Sequence, residues 1–167
     1  SLVTFHSPDD LRVALCLSDA AAPDWDWAKW LPHAGLPKKW DAAGPVRMVA
    51  DSLVHLEEML DDELAARPRH LGPSVDGFDA AHLVVVVDGG SWSPAARLAS
   101  EGGVQGVTVV LLDPEQDPAR PAESSALRLV IEDDHLGIHT RAGVRLVGRP
   151  GRMGGGEAET LARLMSS

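Results

Sequence analysis

The stretch HLVVVVDGG, His82–Gly90, is the most informative part of this 167-residue chain. Its apolar run, Leu83 to Val87, is too short to span a membrane and too uniformly apolar for a half-exposed strand. It predicts a central strand covered on both faces, as in a parallel sheet that lies between helices. Because ligands of open α/β sheets bind at the carboxyl ends of such strands, Asp88 is a candidate site residue.

The regions around this strand alternate between strand and helix patterns. Further strands are predicted over Asp10–Leu17, Val46–Ala50 and Val107–Leu112. Helices are predicted over Ser1–Ser7, Asp24–Leu31, the repeat of Leu53, Leu56, Leu60 and Leu64 with Asp51 or Ser52 as its N-cap, and Ser93–Ser100. This order predicts a layered, mostly parallel α/β sheet with right-handed crossovers. Since no linker divides the chain, residues 1–167 are interpreted as a single α/β domain.

The last third of the chain has a different character. Short strands separated by tight turn signals predict an antiparallel meander made of Leu127–Ile131, Leu136–Thr140 and Val144–Val147. A final helix follows a glycine-rich connection, and its apolar face is expected to carry Leu161, Leu164 and Met165. Loops are predicted at His70–Ala81 and Asp113–Ser125.

The composition restricts the class of function. The chain has 25 acidic and 15 basic residues and a formal charge of −10, which argues against binding to nucleic acid or to an anionic membrane. Cys16 is the only cysteine and lies in an apolar run, which predicts a buried, reduced thiol in a cytosolic protein. There is no apolar stretch of about 20 residues and no signal peptide. Because the chain opens without Met, we expect it to be a piece of a longer protein.

Asp88 has two interpretations. As the magnesium-organising carboxylate of a nucleotide-hydrolysing domain, it should be followed by a catalytic Glu and accompanied by a GxxxxGK[ST] phosphate loop. Gly89 and Gly90 follow it instead, and this chain contains no GxxxxGK[ST] pattern. The second interpretation, which we favour, is an Asp that caps the turn at the end of a buried strand.

The tryptophans are the second informative feature. Trp25, Trp27, Trp30 and Trp40 fall within sixteen residues, although aromatic residues make up only 4% of the chain. If Asp24–Leu31 is helical, Trp27 and Trp30 share one face and Trp25 points elsewhere. Tryptophans at such positions either pack a loop onto the sheet or anchor an interface with a neighbour. Both interpretations stay open from the sequence.

Other polar residues give weaker signals. His135 and His139 are four apart but lie in a predicted strand, so no metal site is predicted. Ser91 follows two glycines without a GxSxG pattern and is not predicted to be a nucleophile. A run of acidic side chains is expected to form the solvated face of its helix, balanced in part by Arg67; the run is Glu57, Glu58, Asp61, Asp62 and Glu63.

Several segments, taken in order, resemble a known family. They are HSPDDLRVALCL (His6–Leu17), DWDWAKWLPH (Asp24–His33), DAAGPVRMVADSLVHLEEML (Asp41–Leu60), HLVVVVDGG (His82–Gly90), GVTVVLLD (Gly106–Asp113) and the meander LRLVIEDDHLGIHTRAGVRLVGRPGR (Leu127–Arg152). Together they resemble the membrane-proximal domain of EccC-type ATPases of actinobacterial type VII secretion systems, relatives of the FtsK/SpoIIIE translocases. The tryptophan-rich string is the most specific part, and the resemblance covers nearly the whole chain.

The resemblance implies an assembly component. The expected fold is a degenerate P-loop (RecA-like) module, truncated at its N-terminus and followed by the meander. The expected function is a non-catalytic or weakly nucleotide-responsive link between a membrane anchor and ATPase modules, on the cytoplasmic side of the plasma membrane. The implied partners are adjacent ATPase modules and membrane subunits, in a hexamer, with no nucleic acid. Trp25, Trp27, Trp30 and His33 form the expected interaction surface.

Two other functions stay open at this point. In the first, the chain is an active ATPase module in which Asp88 organises magnesium and an upstream segment supplies the phosphate loop. In the second, it is an FtsK-like DNA translocase domain, against which the charge of −10 argues. No cofactor is expected in this chain, and Mg-ATP at Asp88 is the one alternative.

Overall fold

The centre of the molecule is a four-stranded, all-parallel sheet. The computed structural model describes residues 2–42, 44–69, 80–100, 103–112, 127–140 and 143–166. The strands are β1 (Leu11–Leu17), β2 (Gly35–Asp41), β3 (Gly44–Arg47), β4 (Val49–Ala50), β5 (His82–Asp88), β6 (Val107–Leu112), β7 (Arg128–Glu132), β8 (His135–Thr140) and β9 (Gly143–Gly148). The α-helices are α1 (Leu2–Phe5), α2 (Leu53–Met59), α3 (Asp61–Ala65) and α4 (Gly155–Met165). Short 3-10 helices cover Ala22–Trp30, Pro32–Ala34 and Arg97–Ala99.

The central sheet has the strand order β4-β1-β5-β6. β5 is bonded on both sides, with Leu11 of β1 opposite His82 and Leu17 opposite Asp88. Its residues Leu83, Val85 and Val87 are fully buried, and Cys16 of β1 is buried beside them. The prediction of a mostly parallel α/β sheet around a buried central strand is therefore confirmed.

Two layers cover this sheet. On one face, the leucine repeat of α2 and α3 packs against β1 and β5 in the main core. The repeat continues through a break at Leu60, where the backbone φ is −101° and the helix divides in two. Ser52 is the N-cap predicted from the sequence, because its Oγ accepts a hydrogen bond from the backbone N–H of His55 at 3.2 Å. On the other face, the 3-10 segment Ala22–Trp30 packs Ala28 against Leu15 and Leu17.

The structure corrects three of the predicted elements. Val46–Ala50 is divided between β3, which forms an antiparallel hairpin with β2, and β4, which joins the central sheet. The predicted helix Ser93–Ser100 is wrong, since only a 3-10 turn forms there and Ala96 is extended (ψ 138°). A segment this short gains too few helical hydrogen bonds to offset nucleation. β6 is an edge strand with alternating exposure and not a fully buried one.

The C-terminal region agrees with the predicted meander. β7, β8 and β9 form a three-stranded antiparallel sheet, and α4 follows it. The predicted apolar face of α4 is wrong at Leu164, which is 70% exposed, because the buried side of the helix is centred on Ala162. The predicted loops lie largely outside the described residues, since 70–79 and 113–126 are not described.

The acidic helix face is less solvated than predicted. Arg67 is 2% exposed, and its guanidinium donates to Glu63 Oε1 at 2.8 Å and to the carbonyl oxygen of Ala81 at 2.6 Å. Glu63 also accepts from Arg12 at 3.1 Å, and Glu57 accepts from the backbone N–H of Leu98 at 2.7 Å. Two of the five carboxylates therefore hold the core together, and the other three face solvent. Over the described ranges, no helix is both long and apolar enough to cross a bilayer.

Candidate functional site

The carboxyl edge of the central sheet is the place where a ligand of this fold would bind. β1 and β5 end there side by side, at Leu17 and Asp88. Ser18 continues β1 and donates its backbone N–H to the carbonyl oxygen of Asp88 at 2.9 Å. The chain beyond each strand therefore decides whether this edge is open or covered.

Gly89 and Gly90 cover the end of β1 with backbone. Gly89 has a φ of +67°, and a Cβ there would lie 2.9 Å from the Cβ of Ser18. A Cβ on Gly90 would lie only 2.7 Å from the carbonyl carbon and oxygen of Cys16. Only glycine allows this approach, so the glycine pair has a packing role at the end of β1.

The strand then continues across the sheet edge. Ser91 forms a parallel bridge with Ser52 and donates its backbone N–H to the carbonyl oxygen of Asp51 at 2.8 Å. Leu53 in turn donates its backbone N–H to the carbonyl oxygen of Ser91 at 3.0 Å. The segment after β5 thus crosses β1 and joins the segment after β4.

Asp88 meets the tryptophan segment at this edge. The indole N–H of Trp25 donates to Asp88 Oδ2 at 2.8 Å, across 63 positions of sequence. Trp25 also stacks on Trp27, with ring centroids 5.8 Å apart and planes inclined by 29°. Two features that the sequence presented separately, the strand-terminal Asp and the tryptophan string, are therefore one structural unit.

The other members of the predicted interaction surface are also bound within the chain. Trp27 packs both on β1 and on α4. The guanidinium carbon of Arg163 lies 3.9 Å from the ring centroid of Trp30, a close cation–π contact. His33 is 1% exposed, and its Nε2 is 2.8 Å from the carbonyl oxygen of His6, so this nitrogen carries the proton. These contacts give all four side chains an internal role, and their role as a partner surface stays a prediction.

Two contacts at this edge bear on the binding of Mg-ATP, which stays a prediction. One carboxylate oxygen of Asp88 already accepts an indole N–H, and glycine backbone covers the end of β1, where phosphates would need a cradle of free N–H groups. Among the described residues, no group of three or more His, Cys, Asp or Glu side chains could hold a metal ion. The arrangement is one that fixes a loop to a sheet.

Trp40 was not included in the interaction surface predicted from the sequence, although it belongs to the same tryptophan cluster. It is 73% exposed at the tip of the β2–β3 hairpin, whereas the other three tryptophans of the cluster are half-buried. The signal that could have found it is the pair Lys38 and Lys39 directly before it, since two adjacent lysines are unusual in a chain with a charge of −10.

Comparison with known proteins identifies the class. No protein-family model matches the chain. In an alignment of 168 positions that covers 99% of this chain, it is 40% identical to the "ESX secretion system protein EccC" of Thermomonospora curvata. It is 40% identical over 108 residues, 65% of its length, to the "ESX-3 secretion system protein EccC3" of Mycobacterium tuberculosis H37Rv. Over 133 residues, 80% of its length, it is 32% identical to "ESX-1 secretion system protein EccCa1" of the same strain.

These matches place the chain in the class of type VII secretion components. Within that class it is an EccC-type segment, as the tryptophan string and the strand ending in Asp predicted. The chain spans only 12% of the length of the Thermomonospora relative, and 8% and 15% of the two mycobacterial relatives.

Proposed function

We propose that this chain is a non-catalytic module of a type VII secretion motor. It links a membrane anchor to ATPase modules on the cytoplasmic side of the plasma membrane, and it contributes to the assembly or regulation of protein export. Its partners are the adjacent ATPase modules and the membrane subunits, in a hexameric complex. The relatives reported above, all named as ESX secretion system proteins, support this setting.

The observation that carries the non-catalytic role is the bond between Trp25 and Asp88. A carboxylate that organises magnesium must be free to bind the ion or its water. Here the indole holds Oδ2 at 2.8 Å, and the Gly89–Ser91 backbone lies over the neighbouring strand end. Both features favour a rigid block that transmits or restrains motion.

The fold is consistent with a degenerate P-loop ancestry. The parallel strands β1 and β5, with Asp88 at the carboxyl end of a central strand, support this proposal. Helices on one face and a tryptophan-bearing 3-10 segment on the other complete the layers. The antiparallel meander and α4 would then be additions beyond the nucleotide-binding core.

A substitution in a full-length EccC-type protein tests this role. Asp88→Asn keeps an oxygen that can accept the indole hydrogen bond but removes the negative charge that magnesium needs. We expect the variant to fold, to assemble and to hydrolyse ATP at the parent rate, because hydrolysis belongs to other modules. Loss of hydrolysis in a variant with an unchanged melting temperature would overturn the proposal.

An active ATPase module is the second candidate. The position of Asp88 favours it, since the carboxyl end of a central parallel strand is where such folds bind ligands. It requires Trp25 to leave Asp88 when nucleotide binds. The same Asp88→Asn experiment distinguishes the two candidates.

A further inference from the structure

The tip of the β2–β3 hairpin is built unlike a regular hairpin. Gly35 pairs with Arg47 and Trp40 pairs with Pro45, so residues 36–39 lie opposite the single residue Val46. Lys38 adopts a φ of +60°, in the left-handed region that non-glycine residues rarely enter. Bulges of this kind re-aim side chains, and this one is followed by a run of exposed residues, namely Lys38, Lys39, Trp40, Asp41 and Ala42.

This tip combines apolar area with positive charge. Trp40 is 73% exposed, and an exposed indole beside cations is typical of an interface anchor. No ion pair joins Lys38 or Lys39 to any residue that the structure describes. The tip is thus a local basic, aromatic protrusion on a chain whose overall charge is −10.

The outer face of α2 and α3 has the opposite properties. It contains a groove of about 370 Å³ lined by Val54, Glu57, Glu58, Asp61, Leu64 and Arg97. Val54 is 44% exposed, while Leu64 is 1% exposed at its base. Glu58 and Asp61 are exposed, and neither has an ion-pair partner in the described part of the chain.

The groove is already ordered by contacts beneath it. Glu57 accepts a hydrogen bond from the backbone N–H of Leu98 at 2.7 Å, so its carboxylate is held at one side of the groove. Arg97 donates to the carbonyl oxygen of Leu64 at 3.0 Å. A guanidinium held in this way can stack on an entering indole, as Arg163 does on Trp30 within the same molecule.

We infer that the hairpin tip of one copy of this chain docks into the acidic groove of a second copy. Trp40 would lie over Val54 and Leu64, and Lys38 and Lys39 would reach Glu58 and Asp61. Because tip and groove are different surfaces, the contact is head-to-tail and can close into a ring or continue as an open chain. This contact goes beyond the proposed secretion role, since it depends only on two surfaces of the chain.

Charge complementarity selects this occupant. Two lysines and an indole could also contact an anionic lipid surface. The net charge of −10 opposes approach to such a surface and to a second copy alike, so the choice of occupant rests on the local pairing of opposite charges. A second copy offers both the acidic side chains and the apolar floor that the tip requires. The contact is small, so we expect weak, salt-sensitive association.

Sedimentation velocity of the 167-residue chain over a concentration series provides the test. We expect association at ~150 mM salt, where the repulsion between two chains of charge −10 is screened beyond about 8 Å, and weaker association at ~500 mM salt, where the ion pairs are screened as well. Lys38→Glu with Lys39→Glu should weaken it by about tenfold or more, and Glu58→Lys with Asp61→Lys should do the same. Mixing the two variants should restore association, because the native tip of the groove variant meets the native groove of the tip variant, and the two charge-reversed surfaces also face opposite charges.

A matched control separates this contact from net charge. Asp9 and Asp19 are exposed and have no described ion-pair partner, so Asp9→Lys with Asp19→Lys changes the net charge as much as the groove variant does. We expect this variant to associate like the parent chain. An equal loss in the control and the groove variants would overturn the inference.

Disulfide trapping gives a second readout that does not depend on affinity. The native Cys16 is 0% exposed, so an introduced cysteine is the accessible thiol. Lys39→Cys mixed with Asp61→Cys should give crosslinked dimers, and Lys39→Cys mixed with Asp19→Cys should not. A monomer at every concentration with no selective crosslink would overturn the inference. So would binding of the tip to anionic vesicles, lost in Lys38→Glu with Lys39→Glu, in place of self-association.

Discussion

The carboxyl edge of the central sheet and the tip of the β2–β3 hairpin each carry a tryptophan, but they use it in opposite ways. At the sheet edge, Trp25 is bonded to Asp88 and stacked on Trp27, and glycine backbone covers the neighbouring strand end. At the hairpin tip, Trp40 is 73% exposed beside two exposed lysines, Lys38 and Lys39.

The contrast shows that one cluster in the sequence serves two purposes. The indoles of Trp25, Trp27 and Trp30 fix the 3-10 segment Ala22–Trp30 to the sheet and to α4. Trp40 is mostly exposed, so packing within the chain does not explain a tryptophan at this position. The choice between packing and interface is therefore made residue by residue, through local backbone geometry.

The largest effect should come from breaking the closed edge at Gly90. In Gly90→Ala, the new methyl group would meet the backbone of Cys16 at 2.7 Å, and the crossing strand must move. We expect a loss of about 3 kcal/mol or more in the free energy of unfolding, measured with urea.

Gly156→Ala is the control for this substitution. Gly156 lies in the first turn of α4 with no atom within 4 Å of a new Cβ, so we expect no loss and a gain of up to about 1 kcal/mol. If the two variants had equal stability, the close approach at Gly90 would not be what holds the edge closed.

The second effect compares two tryptophans directly. Trp27→Ala removes an indole that packs on β1 and α4, so we expect a loss of about 2 to 3 kcal/mol. Trp40→Ala removes an exposed indole and should change the free energy of unfolding by no more than about 0.5 kcal/mol. Thermal and urea unfolding of both variants checks this, and a similar loss in Trp40→Ala would remove the distinction between the two regions.

The third effect isolates the bond between Trp25 and Asp88. Trp25→Phe keeps an aromatic ring but removes the N–H donor, so we expect a loss of about 1.5 kcal/mol. In a double-mutant cycle with Asp88→Ala, the double variant should lose about 1 kcal/mol less stability than the sum of the losses in the two single variants. Additive losses would mean that the indole and the carboxylate act separately.

The smallest effect concerns His82, which lies at the amino end of β5, the strand that ends at Asp88. Partial burial of the imidazole, and secondly the charge of Arg67, lower the pKa of His82 below its usual value of about 6.5. The folded state therefore binds this proton less readily than the unfolded chain does, so stability should fall as the pH drops below that value.

A variant checks the pH effect. His82 is exposed and bonded to Thr108 Oγ1 at 2.9 Å, so the change should be slight. We expect His82→Gln to lose less stability than the parent between pH ~7.5 and pH ~5, measured by the urea midpoint. A parent chain that loses less stability than the variant over this pH range would contradict the predicted sign.

Local patterns made much of the fold predictable. The strand β5 and the meander are encoded by short-range patterns, an apolar run in the first and tight turn signals in the second. Both predictions are confirmed. The β2–β3 hairpin was missed because the bulge at residues 36–39 interrupts the alternation by which strands are found. The Trp25 bond to Asp88 joins residues 63 apart, and no local pattern encodes it.

Calorimetric titration of the folded chain with Mg-ATP tests most directly whether the carboxyl edge is closed to nucleotide. With Asp88→Ala as the control, we predict no saturable heat for either protein at nucleotide concentrations up to about 1 mM. Saturable binding to the parent chain that disappears in Asp88→Ala would show that the edge opens to a ligand, and it would contradict the closed edge on which the non-catalytic role rests.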